Sequence, residues 1–458
     1  MGTIAAISTA PANGGIGIIR MSGKECFEIL DKIFVPKQKQ DIEEISGYTI
    51  KYGYIIDFKT KQKIDEVLVS FFKSPKSYTT ENMCEINSHG GNIVVKKILE
   101  LCLKNGAELA EPGEFTKRAF LNGRIDLLQA ESVIDVINAK SEREAKNGIK
   151  QLEGFLSNEI GKIKKEIMDV MINIEVAIDY PEYDVDDVTS EQINTMLDTV
   201  EKGLVKLEKS FENGKIIKDG INTAIIGRPN AGKSSLLNAI LKEDRAIVTE
   251  YEGTTRDTIE EFVTINGIPL KLVDTAGIRD AKDEVEKIGI IKSKEAAKDA
   301  DLIIAIFDAS KELGKEDIEI LDLIKNRKAI ILLNKTDLQE KINENNEKIK
   351  ETGAATIKIS ALRREGIDKL YDEITKMFDL NQINLDQEMV ITNIRQKNLI
   401  DKAIESTKKA KETMKQKMPI DIIAIFIKDI LEDLGKITGE IVTEDIINEI
   451  FSKFCLGK

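Results

Sequence analysis

The stretch Gly227–Ser234 reads GRPNAGKS and fits the spacing G-x-x-x-x-G-K-[ST]. Glycines there let the backbone curl so that successive N–H groups, with the N-terminus of the helix that follows, point at phosphate oxygens. Lys233 is placed to reach the terminal phosphates, and the Ser234 hydroxyl to ligate Mg2+. Asn230, Ala231, Gly232, Lys233, Ser234 and Ser235 are therefore the candidate phosphate cradle. Four more elements follow it in order. GTTRD (Gly253–Asp257) lies where a switch loop supplies a second hydroxyl to Mg2+, best assigned to Thr255. DTAG (Asp274, Thr275, Ala276, Gly277) ends an apolar run, which puts Asp274 at the Mg2+ water shell and the Gly277 amide near the terminal phosphate. NKTD holds Asn334, Lys335 and Asp337; the Asp337 carboxylate can accept from N1–H and the exocyclic amine of guanine, an arrangement adenine does not present. Ser360 and Ala361, in SAL, can support the base oxygen through backbone amides. Five elements in this order and spacing imply a GTP-binding domain.

One position departs from the common pattern. After DTAG stands Ile278, where many small GTPases have a glutamine that orients the attacking water. An aliphatic side chain cannot do this, so hydrolysis must use another carboxylate, ion or chain. Asp283, Glu284 and Glu286 are the nearby carboxylates, and the Asn230 amide oxygen is placed to face a monovalent cation. The chain has one histidine, His89, and no tryptophan. A multi-histidine zinc site, a HExxH protease and a histidine-based triad elsewhere are thereby excluded. His89, inside SHGG, reads as a structural turn residue.

The elements that must position these residues fall into textured blocks of a 458-residue chain, long enough for about three domains. Residues 1–118 mix short β-rich runs with glycine clusters and read as α+β. Residues 119–215 turn helical, with Ile160, Ile163, Ile167, Val170, Ile174 and Ile178 forming an apolar stripe at three-to-four spacing before the acidic linker DYPEYDVDD. Residues 216–379 alternate β-runs (INTAIIG, PLKLVDTAG, DLIIAIFD, KAIILLNK, ATIKISA) with helical patterns, which predicts a parallel sheet covered by helices. Residues 380–458 are helical again, so the α/β block is expected as an insertion into one helical domain.

Composition sets the remaining limits. A net charge of −13 argues against coating nucleic acid by bulk electrostatics, while leaving room for a local basic patch. Cys26, Cys84, Cys102 and Cys455 have no metal-ligand spacing and read as reduced thiols of a cytoplasmic protein, the first three buried. No basic-then-apolar leader opens the sequence, and no apolar run approaches the ~20 residues of a membrane span. IDIIAIFI (Ile420–Ile427) comes nearest and reads as core.

Long linear blocks outside the nucleotide motifs add a resemblance: GGIGIIRMSG, SYTTENMCEINSHGG, EPGEFTKRAFLNGRIDLLQAE, IVTEYEGTTRDT, DTAGIRDAKDEVEKIGI and the terminal FCLGK. Together with GRPNAGKSSLLNA they make the chain similar, along its whole length, to the tRNA modification GTPases of the MnmE (TrmE) family. The resemblance implies an α+β N-terminal folate-binding and dimerisation domain (1–118), a discontinuous all-α domain (119–215 and 380–458), and an inserted Ras-like P-loop GTPase domain (216–379). It further implies a homodimer that works with an MnmG-type FAD protein, as a heterotetramer, on tRNA. There it would add an aminomethyl or carboxymethylaminomethyl group to C5 of the wobble uridine, with the carbon drawn from 5,10-methylene-tetrahydrofolate. By the same likeness Asn230, Thr249, Tyr251 (backbone) and Thr254 would hold K+, Ser234 and Thr255 would hold Mg2+, and Glu286 would orient the attacking water. Arg20, Glu85, Arg124 and Lys458 would contact folate, or its analogue 5-formyl-tetrahydrofolate. Arginine and lysine suit an anionic glutamate tail, and a carboxylate suits the N–H edge of a pterin.

A ribosome-assembly or regulatory switch GTPase that binds RNA is the competing reading, but such a chain is expected to carry a basic domain after its GTPase block. A pure one-carbon transferase leaves the GTP site without purpose. FCLGK carries the last expectation: prenylation does not suit a terminal lysine after glycine, and a metal site lacks partners. The tail is instead expected at the folate pocket, with Lys458 on the ligand and Cys455 near the one-carbon unit, where its thiol either takes part in chemistry or only packs.

Overall fold

A computed structural model of the chain describes residues 1–179, 186–241, 261–265, 267–273, 297–298, 300–378 and 390–458. The chain divides into two compact units, one made of Met1–Ile134, Gln151–Ile172 and Ile427–Lys458, the other of Asp135–Lys150 and Asn173–Phe426. Among the described residues no helix is long and apolar enough to cross a membrane.

The first unit is built on a seven-stranded sheet of β1 (Ile4–Ile7), β2 (Ile16–Ser22), β3 (Phe34–Pro36), β4 (Thr49–Asp57), β5 (Gln62–Phe72), β6 (Met83–His89) and β7 (Glu108–Leu109), in the order β3-β4-β5-β6-β2-β1-β7. Alternation along the central strands decides which residues enter the core. Ile19 and Met21 of β2, Cys84 and Ile86 of β6, and Val67, Val69 and Phe71 of β5 are buried against Val95, Ile98, Leu101 and Cys102 of the helix Asn92–Lys104. The intervening residues of β2 and β6, Arg20 and Glu85 among them, stand on the opposite face, where the antiparallel register sets these two directly across from each other. Cys26, Cys84 and Cys102 are buried as expected, and burial pushes the Cys102 thiol up. His89 is the last residue of β6 rather than a turn residue. Its Nδ1 lies 2.8 Å from Asp65 Oδ1, and this partner raises the imidazole above its ordinary value.

The C-terminus folds back onto this unit. In the helix Glu444–Ser452, Ile447 and Phe451 are buried, and with Phe454 they join Ala119, Ile125 and Ala130 in one cluster. The Phe451 and Phe454 rings lie 5.2 Å apart, and each buried phenyl contributes roughly 1.5–3 kcal/mol. Two glycines make the approach possible. Gly113 (φ +71°) would place a Cβ 2.8 Å from Phe451 O, and Gly457 (φ +83°) would place one 2.4 Å from Ile7 O. The backbone then closes on itself: Gly113 N–H donates to Cys455 O and Phe115 N–H to Lys458 O, at 3.4 and 3.1 Å.

The second unit carries β8 (Ile221–Ile226), β9 (Glu261–Ile265), β10 (Ile268–Val273), β11 (Leu302–Asp308), β12 (Ala329–Asn334) and β13 (Ala355–Lys358), ordered β13-β12-β11-β8-β10-β9. Five strands run parallel as expected; β9 is an antiparallel edge strand that the parallel-sheet expectation omits. Its signal lies in the sequence INGI, an Asn-Gly pair between apolar residues, which favours a hairpin turn. The chain passes from β8 to β10 on one side and β11 on the other, so the carboxyl ends of β8 and β11 flank a switch point, where open α/β sheets bind ligands. The helices of this unit include Asp186–Asp219, which leads into β8 and lies along Ile394–Lys415. In the helix Phe155–Asp179 the expected stripe holds through Ile174, whereas Ile178, in the last turn, is exposed. The apolar run at Ile420–Ile427 lies in the helix Ile420–Thr438 and buries Ile423, Ala424 and Ile427.

Gly457→Ala tests the tail's docking. The alanine meets both a left-handed φ and the Ile7 carbonyl, a cost of about 1–3 kcal/mol. Hydrogen exchange at the Phe115 amide is expected to quicken by about fivefold or more at that cost; unchanged exchange would contradict the docking.

Candidate functional site

The phosphate loop leaves the carboxyl end of β8 and enters the helix Lys233–Leu241, which forms because Leu236, Leu237, Ala239 and Ile240 bury one side against the sheet. Asn230 at the crest has φ +62° and an exposed side chain, and Gly232 has φ +110°. Lys233 is held from below: its ammonium donates to the Gly227 carbonyl at 2.6 Å and the Arg228 carbonyl at 3.0 Å. Burial lowers its pKa from the ordinary lysine value, so an anion in front of it recovers charge stabilisation lost to solvent. Ser234 and Ser235 are exposed in the first turn of that helix, where backbone amides concentrate positive potential.

The base motif sits beside this loop. Asn334, buried at the end of β12, donates from Nδ2 to the Ala231 carbonyl at 2.9 Å and accepts at Oδ1 from the Ala361 N–H at 3.0 Å. A Cβ on residue 232 would stand 2.1 Å from Asn334 Nδ2, so glycine is needed for space as well as for φ. The Ala361 amide, expected to face the base oxygen, donates here to Asn334. Ser360 Oγ donates to Asp337 Oδ1 at 2.6 Å and holds this carboxyl below the usual carboxylate range. Among the described residues no side chain other than Ser360 donates to Asp337, which leaves the carboxylate room for a ligand's N–H donors. Lys335 (φ +67°) donates to Asp308 Oδ2 at 2.7 Å. Sequence reasoning missed Asp308, because a carboxylate at a strand end has no motif of its own. Thr249, Tyr251, Thr254, Thr255, Asp274, Thr275, Ala276, Gly277 and Glu286 lie outside the described residues.

In the first unit, the other candidate residues come together. Arg20 donates from Nε and Nη2 to Glu85 Oε1 at 3.0 and 2.8 Å, and from Nη1 to the Gly457 carbonyl at 3.1 Å. Ser8 Oγ donates to the same carbonyl at 3.1 Å. Glu85 Oε2 accepts no hydrogen bond among the described residues. The Arg20 guanidinium lies 5.7 Å from the Tyr78 ring centroid and 5.6 Å from that of Phe115, while Arg124 lies 4.5 Å from Tyr78, within cation–π range. Thus Arg20 and Glu85 pair directly, Arg124 shares Tyr78 with Arg20, and Lys458 is tied to Phe115, Arg20's other ring. The Cys455 side chain is exposed. Sequence reasoning missed Tyr78 and the anchor beneath it. Arg118 is buried and donates to Glu81, to Glu114 and to the Gly2 carbonyl, pinning the loop that carries Tyr78. Both residues lie inside the blocks SYTTENMCEINSHGG and EPGEFTKRAFLNGRIDLLQAE, where nothing local tells an anchor from a surface charge.

Comparison with known proteins identifies the family. Residues 3–124 match the family model described as the GTP-binding protein TrmE N-terminus, and residues 127–455 match that of the MnmE helical domain. The chain is 49% identical over 458 residues to the tRNA modification GTPase MnmE of Acetivibrio thermocellus, and 50% identical over 458 residues to that of Clostridioides difficile. Each alignment covers 100% of this chain and 99% of the relative. The protein of the same name from Alkaliphilus oremlandii is 48% identical over 456 residues, covering 100% of this chain and 99% of its own. With both family models and full-length identity near one half, the chain belongs to the MnmE family of tRNA modification GTPases.

Proposed function

We propose that this chain hydrolyses GTP in the service of tRNA modification, as a K+-stimulated homodimer working with an MnmG-type FAD protein. The product is C5-aminomethyl or carboxymethylaminomethyl wobble uridine, its carbon carried by 5,10-methylene-tetrahydrofolate. The observation that carries the nucleotide half is Asn334, which ties the phosphate loop and the SAL segment into one site. The loop amides and Lys233 bind the phosphates, and Asp337, kept ionised by Ser360, selects guanine. The donor sets suit the ions: the exposed hydroxyl of Ser234, with Thr255, would hold Mg2+, and neutral oxygens from Asn230, Thr249, Tyr251 and Thr254 would hold K+. A K+ bound there supplies positive charge beside the phosphates, the contribution an arginine finger makes in other GTPases. Glu286 accepts a hydrogen bond from the attacking water and so fixes its line of approach, a task closed to Ile278.

The folate half is supported by the meeting of Arg20, Glu85, Arg124 and the docked tail in one compact unit. Glu85 Oε2 offers an acceptor for pterin N–H groups, and Arg124 and Lys458 offer cations for the glutamate tail. Cys455, exposed on the same docked tail, either serves the one-carbon unit or only lines its approach. The division into 1–118, 119–215 with 380–458, and 216–379 follows these roles.

Three measurements test the reading. Replacing K+ by Na+ is expected to slow GTP hydrolysis by at least about tenfold, the order of one preorganised charge contact; equal rates would contradict the cation assignment. Glu286→Ala should bind GTP as the wild type does yet turn it over at least about 100-fold more slowly, and retained turnover would remove Glu286 from the mechanism. Removing Cys455–Lys458 is expected to weaken 5-formyl-tetrahydrofolate binding by about tenfold or more, as loss of a charged contact does; unchanged affinity by calorimetry would separate the tail from the folate site.

A further inference from the structure

One connection touches both halves of the nucleotide site. It begins at Asp308, the last residue of β11, and ends at Asp317, in the first turn of the helix Lys315–Ile324. At its start, Asp308 takes the Lys335 ammonium on Oδ2 at 2.7 Å, while its Oδ1 accepts from Ser310 Oγ and N–H at 2.6 and 3.1 Å. Next to it, the Ala309 N–H donates to the Asn334 carbonyl at 2.8 Å. At its end, Asp317 Oδ2, nearly buried, accepts from the Gly314 N–H at 2.8 Å and from Arg228 Nη1 at 3.1 Å. Arg228 also donates from Nε to Glu316 Oε2 at 3.2 Å. A Cβ at Gly314 would stand 2.6 Å from Arg228 Nη1, so the guanidinium rests on bare backbone. Arg228 is the residue after the first glycine of the phosphate loop, and its own carbonyl accepts from the Lys233 ammonium.

We propose that the connection Asp308–Asp317 is a strap that sets both ends of the nucleotide site. Asp317 positions the phosphate loop through Arg228, and Asp308 positions the base pocket through Lys335. Neither carboxylate touches the nucleotide; each fixes a residue that does or that carries one that does. The Arg228 clamp is partly shielded and forked between two carboxylates, so it holds direction as well as charge. The carbonyls of Gly227 and Arg228 share the Lys233 ammonium, so a shift of the Arg228 backbone re-aims Lys233 toward or away from the terminal phosphates. The inference rests on the GTP-site reading above and adds to it residues that no nucleotide motif contains.

The test uses the full chain and competition of GDP and GMP against a fluorescent GDP analogue. Arg228→Gln and Asp317→Asn are each expected to weaken GDP about tenfold, and the double variant about as much as either single, the pattern of two groups acting through one contact. The loss should be smaller for GMP, which lacks the phosphate that Lys233 and the loop amides grip. Asp308→Asn should weaken GDP and GMP by the same factor, because it acts at the base. Asp317 also caps the helix through Gly314, whereas Arg228→Gln leaves that cap intact and carries the GDP-against-GMP test by itself. Additive losses in the double variant, or equal losses for GDP and GMP in Arg228→Gln, would overturn the strap alone. A wild-type chain that binds no GDP would overturn the site reading and the strap with it.

Discussion

The nucleotide site depends on one buried amide side chain. Asn334 donates to the phosphate loop at Ala231 and accepts from the base segment at Ala361, so two stretches distant in sequence share one rigid joint. Removing either partner would leave a polar group buried without a mate, at about 1–3 kcal/mol. The joint is possible only because residue 232 has no Cβ, which means that one glycine serves the curl of the phosphate loop and the closeness of the base motif at once. Around it, Ser360 fixes Asp337 and Asp308 fixes Lys335, so the groups proposed to meet the nucleotide are already held in place. Preorganisation of this kind lowers the ordering cost of binding.

The first unit repeats the principle with different means. Its central pair, Arg20 and Glu85, comes from register across β2 and β6, and its third wall comes from the far end of the chain. The tail can approach because Gly113 and Gly457 leave room, and it stays because Phe451 and Phe454 are buried. Arg20 then spends one donor on the tail and two on Glu85, which leaves the second carboxylate oxygen open. Chain length thus separates residues that the fold makes neighbours.

Much of this was legible in the sequence. Phosphate binding by backbone amides demands glycines and a lysine at fixed spacing, so Gly227–Ser234 announces itself; Asn334 and Asp337 close a strand in the same readable way. The apolar stripe of the helix Phe155–Asp179 was legible to Ile174 and failed at Ile178, where the last turn meets solvent. β9 lies outside the strand-then-helix alternation that marks the parallel strands, and only the Asn-Gly pair signals it in the sequence. Asp308, Asp317, Arg118 and Tyr78 were not legible as site residues. Their partners lie tens of residues away, and a carboxylate, guanidinium or phenol outside a motif reads as surface until the fold supplies the other half.

On the proposed reading, a guanine-nucleotide site and a one-carbon pocket share one chain because a single product, modified wobble uridine, would need both. Mass spectrometry of tRNA nucleosides from cells in which this chain is deleted tests that claim most directly. The account predicts loss of C5-aminomethyl-type wobble uridines, restored by the wild-type chain and not by a Lys233→Ala variant. An unchanged nucleoside profile in the deletion would contradict it.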